Sequence, residues 1–540
     1  MCLKLPTPRE RLHSNSAGSR LKISSVRSAT YWVFAVVLAG IYICGPIVDP
    51  DLWWHITVGR WVLANGTVPQ VDYWNMFGVG QPWRAYSWSI EVLFAAIDAN
   101  FGIHGLMTLK LALGAAIGLA MSWCFSKISR DWFLGALLGL YVTASCFNHF
   151  TLRPQSFVWI YFVLTIYCCN LVLERGIRRA GVWLAIVMAL WANAQITTII
   201  GIAAAVIWVC SAQRLTFASL RLPIQVGLVA FLGTLLTPYM GGEWITFFTK
   251  TGHPFHMRAI AEFQPATIMQ FSTVFVVLLV ALQTAFMFMR PGCIPMVRAL
   301  GGLAFTLAGL AVVKFLPFAA IYIAATLAAA WGESSGVRNR FGNLGEGIER
   351  LRWLVLKLPA EGASFVLVCM AAVFVSGIWS KPLNTAIIPV AALDFIQKHN
   401  LPHPVLNDFG RGGYMIYRFS DLRGTPQHLV PIDGRTNVGK PEIWDAYFAA
   451  ETAQSNWRDF FNIVKPVTVL WRLESPLVTV LLQNSEWCLV HRVEAKDAPA
   501  PRISGNADVN LAQQHFGHAI FLRHDHWRER AGELVAENCS

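Results

Sequence analysis

Long apolar runs alternate with short polar junctions over the first 380 residues, and only then does the chain turn to a mixed pattern. A bilayer core about 30 Å thick needs roughly 20 mostly apolar helical residues per crossing. On that scale the candidate spans are Tyr31–Val48, Gly105–Cys124, Trp132–Phe147, Gln155–Leu173, Gly181–Trp191, Thr197–Cys210, Pro223–Leu236, Met269–Phe288, Ala299–Val313, Phe315–Trp331 and Ala363–Trp379. Gly181–Trp191 and Thr197–Cys210 are short, and read either as half-helices or as one kinked element. Beyond residue 380, Ala391–His399, Gly413–Phe419 and Glu442–Thr452 suit helices. His403–Leu406, His428–Ile432, Val467–Trp471 and Trp487–Val493 suit strands. The expected fold is a polytopic α-helical membrane protein of about eleven transmembrane helices with a C-terminal extracytoplasmic α/β domain. Its regions are a basic tail (1–30), a transmembrane domain (31–380) with a first outer loop (49–100), and the α/β domain (381–540). Within that domain the polar, Ala- and Pro-rich Ala495–Asp508 reads as an exposed loop. No internal repeat of the kind that marks many secondary transporters is evident.

Composition agrees: 55% of residues are hydrophobic and 14% charged, where a soluble protein carries about 25% charged. The mean hydropathy is +0.48. A net charge of +12 invites a nucleic-acid partner, but the placement of the charge argues against one. Lys4, Arg9, Arg11, Arg20, Lys22 and Arg27 precede the first run. Lys127 and Arg130, then Arg175, Arg178 and Arg179, then Arg214 and Arg221, then Arg290 and Arg298 follow at alternate junctions. Arg338, Arg340, Arg350, Arg352 and Lys357 form the last set. That is the bias of cytoplasmic loops. It predicts a multi-pass protein of the inner (plasma) membrane with its N-terminus inside and everything after Trp379 outside. No cleavable signal precedes the first run, which is followed by Asp-Pro-Asp. Most of the 11 cysteines lie in or beside the runs. Cys488 and Cys539 fall in the outer domain, where a disulfide can form, and no His/Cys cluster has zinc spacing.

The distinctive polar residues gather at the junctions assigned to the outer face. The first outer loop opens Asp49-Pro50-Asp51-Leu52-Trp53-Trp54-His55 and carries Arg60, Asp72, Arg84 and, on an expected interfacial helix Tyr86–Ala99, Glu91. Acids held at the interface by tryptophans lose hydration, which raises their pKa and suits them to proton transfer. The plainer reading is a helix cap beside an aromatic belt. On the same side fall Arg153-Pro154-Gln155, Asn193 and Gln195, Tyr239, Glu262 and Lys314. Arg forks and Lys point charges suit phosphate oxygens, though Lys314 can also snorkel to the interface. Asn193 and Gln195 can instead join helices. Asp49, Asp51 and His55 are too few ligands to claim a divalent metal, and no cofactor is expected.

At these residues the chain resembles the polytopic bacterial glycosyltransferases of the GT-C fold and their relatives. The likeness rests on Asp49–Gly59, Pro82–Glu91, Arg153-Pro154-Gln155, Trp191-Ala192-Asn193, Asn407-Asp408-Phe409-Gly410-Arg411-Gly412-Gly413-Tyr414 and Ile432-Asp433-Gly434-Arg435. It implies a sugar donor carried on a polyprenyl phosphate, an acid of the first outer loop as catalytic base, and a saccharide, lipid or protein acceptor. By position the base is Asp51 or Asp49. The substrate-binding candidates are His55, Arg60, Arg84, Glu91, Arg153, Gln155, Asn193, Gln195, Tyr239, Glu262 and Lys314. Two positions depart from the family pattern: relatives read Trp-x-Asn-x-His where this chain has Gln195, and often Arg where it has Lys314. The glycine-rich Gly410–Gly413 turn lacks nucleotide-binding spacing, which leaves docking, an internal salt bridge or acceptor binding as its role. A transporter or flippase for lipid-linked saccharides, and a non-catalytic partner in envelope polysaccharide assembly, are the competing readings.

Overall fold

The computed structural model describes residues 36–37, 39–212, 218–251, 261–333, 342–357, 360–435, 438, 440–494 and 517–539. The basic tail, the start of Tyr31–Val48, Arg214, Arg338, Arg340 and the Ala495–Asp508 loop lie outside the described residues.

The membrane part comprises α1 (Leu52–Asn65), α2 (Trp88–Ser129), α3 (Trp132–Ser145), α4 (Pro154–Arg175), α5 (Ile177–Ala194), α6 (Thr198–Ser211), α7 (Arg221–Thr234), α8 (Gly242–Thr251), α9 (Phe271–Met289), α10 (Met296–Ala311), α11 (Leu316–Glu333), α12 (Gly342–Lys357) and α13 (Ala360–Ser380). By length and composition, four helical segments among the described residues can cross a membrane: Trp88–Ser129, Pro154–Arg175, Phe271–Met289 and Val313–Glu333. Trp132–Ser145, Thr198–Ser211, Arg221–Thr234, Met296–Ala311 and Cys369–Ser380 are shorter apolar helices. The expected interfacial helix does not stop at Ala99. It runs on into the second apolar run through Gly102, whose φ of 57° and ψ of −151° only glycine adopts at low cost. The two short runs are separate helices, α5 and α6, divided at Gln195, which is extended (φ −169°, ψ 147°). The Val313–Glu333 segment is the hub, with 89% of its apolar window buried. Its Ala-rich sequence lets neighbouring helices approach closely. At the end of the bundle assigned to the cytoplasm, Asp131 caps α3 by accepting from Phe133 N and Leu134 N. The same carboxylate receives Arg352 of α12 at 2.6 Å.

The C-terminal region, expected outside, continues with α14 (Val390–Lys398), β1 (Val405–Asn407), α15 (Phe409–Arg418), α16 (Pro441–Glu451), α17 (Arg458–Val464), β2 (Thr468–Arg472), α18 (Pro476–Leu482), β3 (Trp487–Val493), β4 (His518–Arg523) and α19 (His524–Arg528). The sheet order is β1-β2-β4-β3. β1 and β2 are parallel, with Leu406 beside Val469, and the other pairs are antiparallel. His428–Ile432, expected to be a strand, is not one. Val430 instead makes a single bridge to Asn75 of the first outer loop, because that loop, not the sheet, meets its backbone. The expected helix Gly413–Phe419 begins earlier, at Phe409. Cys488 and Cys539 form a disulfide that ties the end of the chain to β3.

Alternating side chains give the sheet two buried faces. Leu470, Ile520 and Leu522 join a cluster that continues through Tyr414, Met415, Trp53, Trp54, Trp74 and Trp83 into the membrane helices. Val469, Trp471 and Phe521 face a second cluster with Trp444, Tyr447 and Phe460. Residue 381 is therefore a boundary along the chain but not in the packing. The entrance to and exit from the bundle are stitched together as well. Ile47 N donates to Pro382 O at 2.7 Å, and Asn384 N to Ile47 O at 3.0 Å.

Candidate active site

After the first apolar run the chain unwinds at Gly45-Pro46. Lys110, buried in α2, reaches across to donate to Gly45 O at 2.9 Å and Pro46 O at 3.0 Å. This lysine went unnoticed in the sequence, although a lone cation inside an apolar run is itself a signal. It fixes the segment that delivers Asp49 and Asp51. Asp49 Oδ1 accepts from Asp51 N at 2.9 Å, folding the Asp-Pro-Asp into a turn. Asp51 stands at the start of α1, yet its side chain makes no capping hydrogen bond. The capping reading thus fails for Asp51, and its carboxylate is free to face elsewhere.

It faces Arg153. The residue before α4 is extended, as a residue preceding proline prefers, and its guanidinium meets three carboxylates. Nε contacts Asp49, Nη2 lies 3.1 Å from Asp51 and Nη1 lies 2.5 Å from Glu262. One cation thus serves three acids. The Asp51 side chain keeps 19% of its exposure and that of Asp49 only 2%. Burial pushes the Asp51 carboxyl up to about 6; Arg153 opposes the rise, and the Asp49 and Glu262 charges reinforce it. Glu262 sits in a single turn, Ala261–Phe263, joined to the turn Val313–Phe315 by Val313 N donating to Gln264 O at 3.0 Å. This places the Lys314 ammonium 3.4 Å from the centre of the Phe263 ring, beside the cluster. His149, also missed in the sequence, bonds Ser272 Oγ through Nε2 at 3.0 Å. Burial pulls its pKa down to about 4 against the pull of Glu262.

The other candidates do not converge on this point. His55 Nδ1 lies 2.8 Å from Glu91 Oε1, a pair buried between α1 and α2. Arg60 binds Asp98 at 2.6 Å and lies over the Tyr417 ring of α15. Arg84 donates to Thr246 Oγ1 at 3.3 Å. The Tyr239 hydroxyl donates to Pro69 O and accepts from Ala85 N, holding the loop onto α8's approach. Asn193 accepts from Trp88 Nε1 at 2.8 Å and donates to Leu236 O, so it joins helices. Gln195 accepts from Thr197 N at 2.7 Å and stabilises the start of α6. Gln155 is half-buried in the first turn of α4.

The outer domain reaches the acids through its two glycine motifs. Gly413 packs on Pro50, where an added Cβ would lie 2.2 Å from its carbonyl oxygen, and the Cβ of an alanine at 434 would lie 1.8 Å from Asp51 Oδ1. Arg435 anchors this turn. It binds Asp433 at 2.9 Å and Asp72 at 2.5 Å, and lies over Trp54, Trp74 and Trp83. Asn75 Nδ2 donates to Asp433 at 2.9 Å. In the other motif Arg411 is buried against Asp408 at 3.2 Å and bonds His518. Both motifs thus make docking contacts and internal salt bridges. Among the described residues the one His/Cys/Asp/Glu group with metal-like spacing is Cys488, His524 and Cys539, and its two sulfurs are bonded to each other.

No protein-family model matches the chain, and no curated protein does. Among solved structures it is similar to the oligosaccharyltransferase of Archaeoglobus fulgidus. Against the apo form the TM-score is 0.46 at 10% identity, covering 82% of this chain and 70% of that one. Against the complex with zinc and sulfate it is 0.46 at 9%, covering 82% and 68%.

Proposed function

We propose that this chain is a membrane glycosyltransferase that moves a sugar from a polyprenyl-phosphate-linked donor to an acceptor at the outer face of the membrane. The observation that carries the reading is the Asp51 carboxylate, which caps nothing and shares one arginine with Asp49 and Glu262. In the proposed reaction an acceptor hydroxyl gives its proton to Asp51. Its oxygen bonds to the sugar's anomeric carbon as the bond from that carbon to the phosphate oxygen breaks. Arg153 and Lys314 offset the charge gathering on the departing phosphate. A carboxyl titrating near 6 is mostly ionised at neutral pH and still basic enough to take a proton. The disulfide in the C-terminal domain supports placing that domain outside, since such bonds persist in oxidising compartments.

The test is Asp51→Asn, which keeps size and removes the base. It should abolish transfer from a polyprenyl-phosphate hexose while expression and binding of the lipid stay near native. Lys314→Gln should weaken binding of that lipid instead. Near-normal transfer by both Asp49→Asn and Asp51→Asn, at normal expression, would rule the assignment out. One observation favours a second reading, a non-catalytic partner in which the acids only seat the outer domain: Gly434 is packed directly on Asp51. That reading requires Asp51→Asn to lower folded yield and leave the surviving protein fully active.

A further inference from the structure

We infer that Gly434 is a positioning residue: its missing side chain leaves the space in which the Asp51 carboxylate sits, so the outer domain completes the reactive site. The consequence for catalysis rests on the glycosyl-transfer reading above; the placement of Asp51 does not.

Arg435 and Asp433 are buried, bonded to each other through Nε and Nη2 at 2.9 Å, and tied to Asp72 and Asn75 of the first outer loop. From behind, Asn407 Nδ2 donates to Ile432 O at 2.8 Å. Gly412 lies against the same carbonyl so closely that a Cβ there would meet it at 2.0 Å. A segment held from both sides cannot retreat. Its one residue without a side chain is the one facing Asp51, and a Cβ at 434 would overlap Oδ1 at 1.8 Å and Oδ2 at 3.1 Å. Such an overlap moves either the turn or the carboxylate. With the turn pinned by Arg435, the carboxylate is the part that gives way.

Asp51 is in turn poised by what else surrounds it. Arg153 reaches it from the start of α4, Asp49 from its own turn, and Glu262 from the Ala261–Phe263 turn, with Lys314 next to the latter across Phe263. Gly434 packs against the same carboxylate. Moving the carboxylate changes its distance to each of these charges, so Gly434 acts on Asp51's acidity through position alone. A displacement of about 1 Å in a reacting group costs on the order of 100-fold in rate.

The test uses the full chain purified in detergent. A double-mutant cycle compares Gly434→Ala in the native background with Gly434→Ala in an Asp51→Ala background, by thermal midpoint. The inference expects a loss of several degrees in the first and a small fraction of it in the second, because the colliding atoms are gone. Equal losses overturn it. If Gly434→Ala alone cannot be purified, recovery of the double variant at the Asp51→Ala yield supports the inference, and failure of both overturns it. The second readout is the pH midpoint for labelling of Asp51 by a hydrophobic carbodiimide, read by mass spectrometry. Gly434→Ala should shift it by a full pH unit or more, whereas Gly410→Ala, where a Cβ meets nothing closer than 3.5 Å, should not move it. An unchanged midpoint in Gly434→Ala overturns the positioning role. Coupling in the cycle without any transfer by the native chain from a polyprenyl-phosphate hexose would refute the glycosyl-transfer reading and leave the placement of Asp51 standing.

Discussion

Two arginines, Arg435 and Arg153, organise the surroundings of the first loop, and they differ in how their charge is balanced. Arg435 is buried to within 1% of exposure. Two carboxylates, Asp72 and Asp433, accept from its Nε, Nη1 and Nη2, and three tryptophans lie against its guanidinium. Arg153 keeps 20% of its exposure and faces three carboxylates, two of which are also partly open. The first cluster, two acids on one cation, is sealed from water and holds two regions of the chain together. The second sets three acids against one arginine at a place water can reach. Structural ion pairs tend to look like the first, whereas groups that must exchange protons or ligands look like the second. Residues of the same types thus differ here in burial and in the number of acids each arginine meets.

The largest loss is expected at Arg435. Replacing it with Met leaves Asp72 and Asp433 buried without a cation, which costs about 3–5 kcal/mol; folded yield and thermal midpoint should both collapse. Asp51→Asn should do the opposite. Transfer should fall by about 10²–10⁴-fold, the contribution of a positioned base, with the protein still folded. pH sharpens the contrast. Transfer should rise as pH increases through about 6, where Asp51 becomes ionised. Stability has the reverse sense, because the folded state binds this proton more tightly than the unfolded chain. The contribution is fully present below the ordinary value of 3.8 and is lost as pH rises through about 6. Asp51→Asn should therefore gain thermal midpoint over the native protein as pH is raised across that window. Glu262→Gln removes one of the charges that raise Asp51's pKa, so the rising limb of the rate profile should move to lower pH. The smallest effect belongs to Gln195→Ala. Loss of its bond to Thr197 N costs about 1 kcal/mol, seen as a slight drop in thermal midpoint with the pH profile unchanged.

The helical periodicity and the apolar runs made the membrane helices legible, because burial in lipid and burial in a bundle demand the same residues. The strands β1, β2 and β3 were legible from short Val-, Leu- and Trp-rich runs. β4 was not, since His518–Arg523 follows a long polar stretch and is recognised only by its pairing with Trp487–Val493 and Thr468–Arg472. Val430 misled in the other direction: its β-branched neighbourhood suits a strand, but its partner is a loop more than three hundred residues away. Asp49, Asp51, Arg153 and Glu262 were each visible as polar residues at junctions of one side. Their convergence on one guanidinium was not, since nothing local links the approach to α4 with the Ala261–Phe263 turn. His55, Arg60, Arg84 and Asn193 were selected by the same reasoning, and the structure spends them on joining helices. Residue type and side of the membrane cannot distinguish those outcomes; distance can.

The clamp between Asp72 and Arg435 spans 363 residues of sequence, and this sets an order of events during synthesis. At about 5–20 residues per second, the first outer loop waits roughly 20–70 s after it is made before its arginine exists. Throughout that interval Trp54, Trp74, Trp83 and Asp72 lack the cation that later unites them. A ribosome that stalls before Arg435 therefore leaves Asp72 and these tryptophans without their cation, and Asp51 without the Gly434 turn that packs on it.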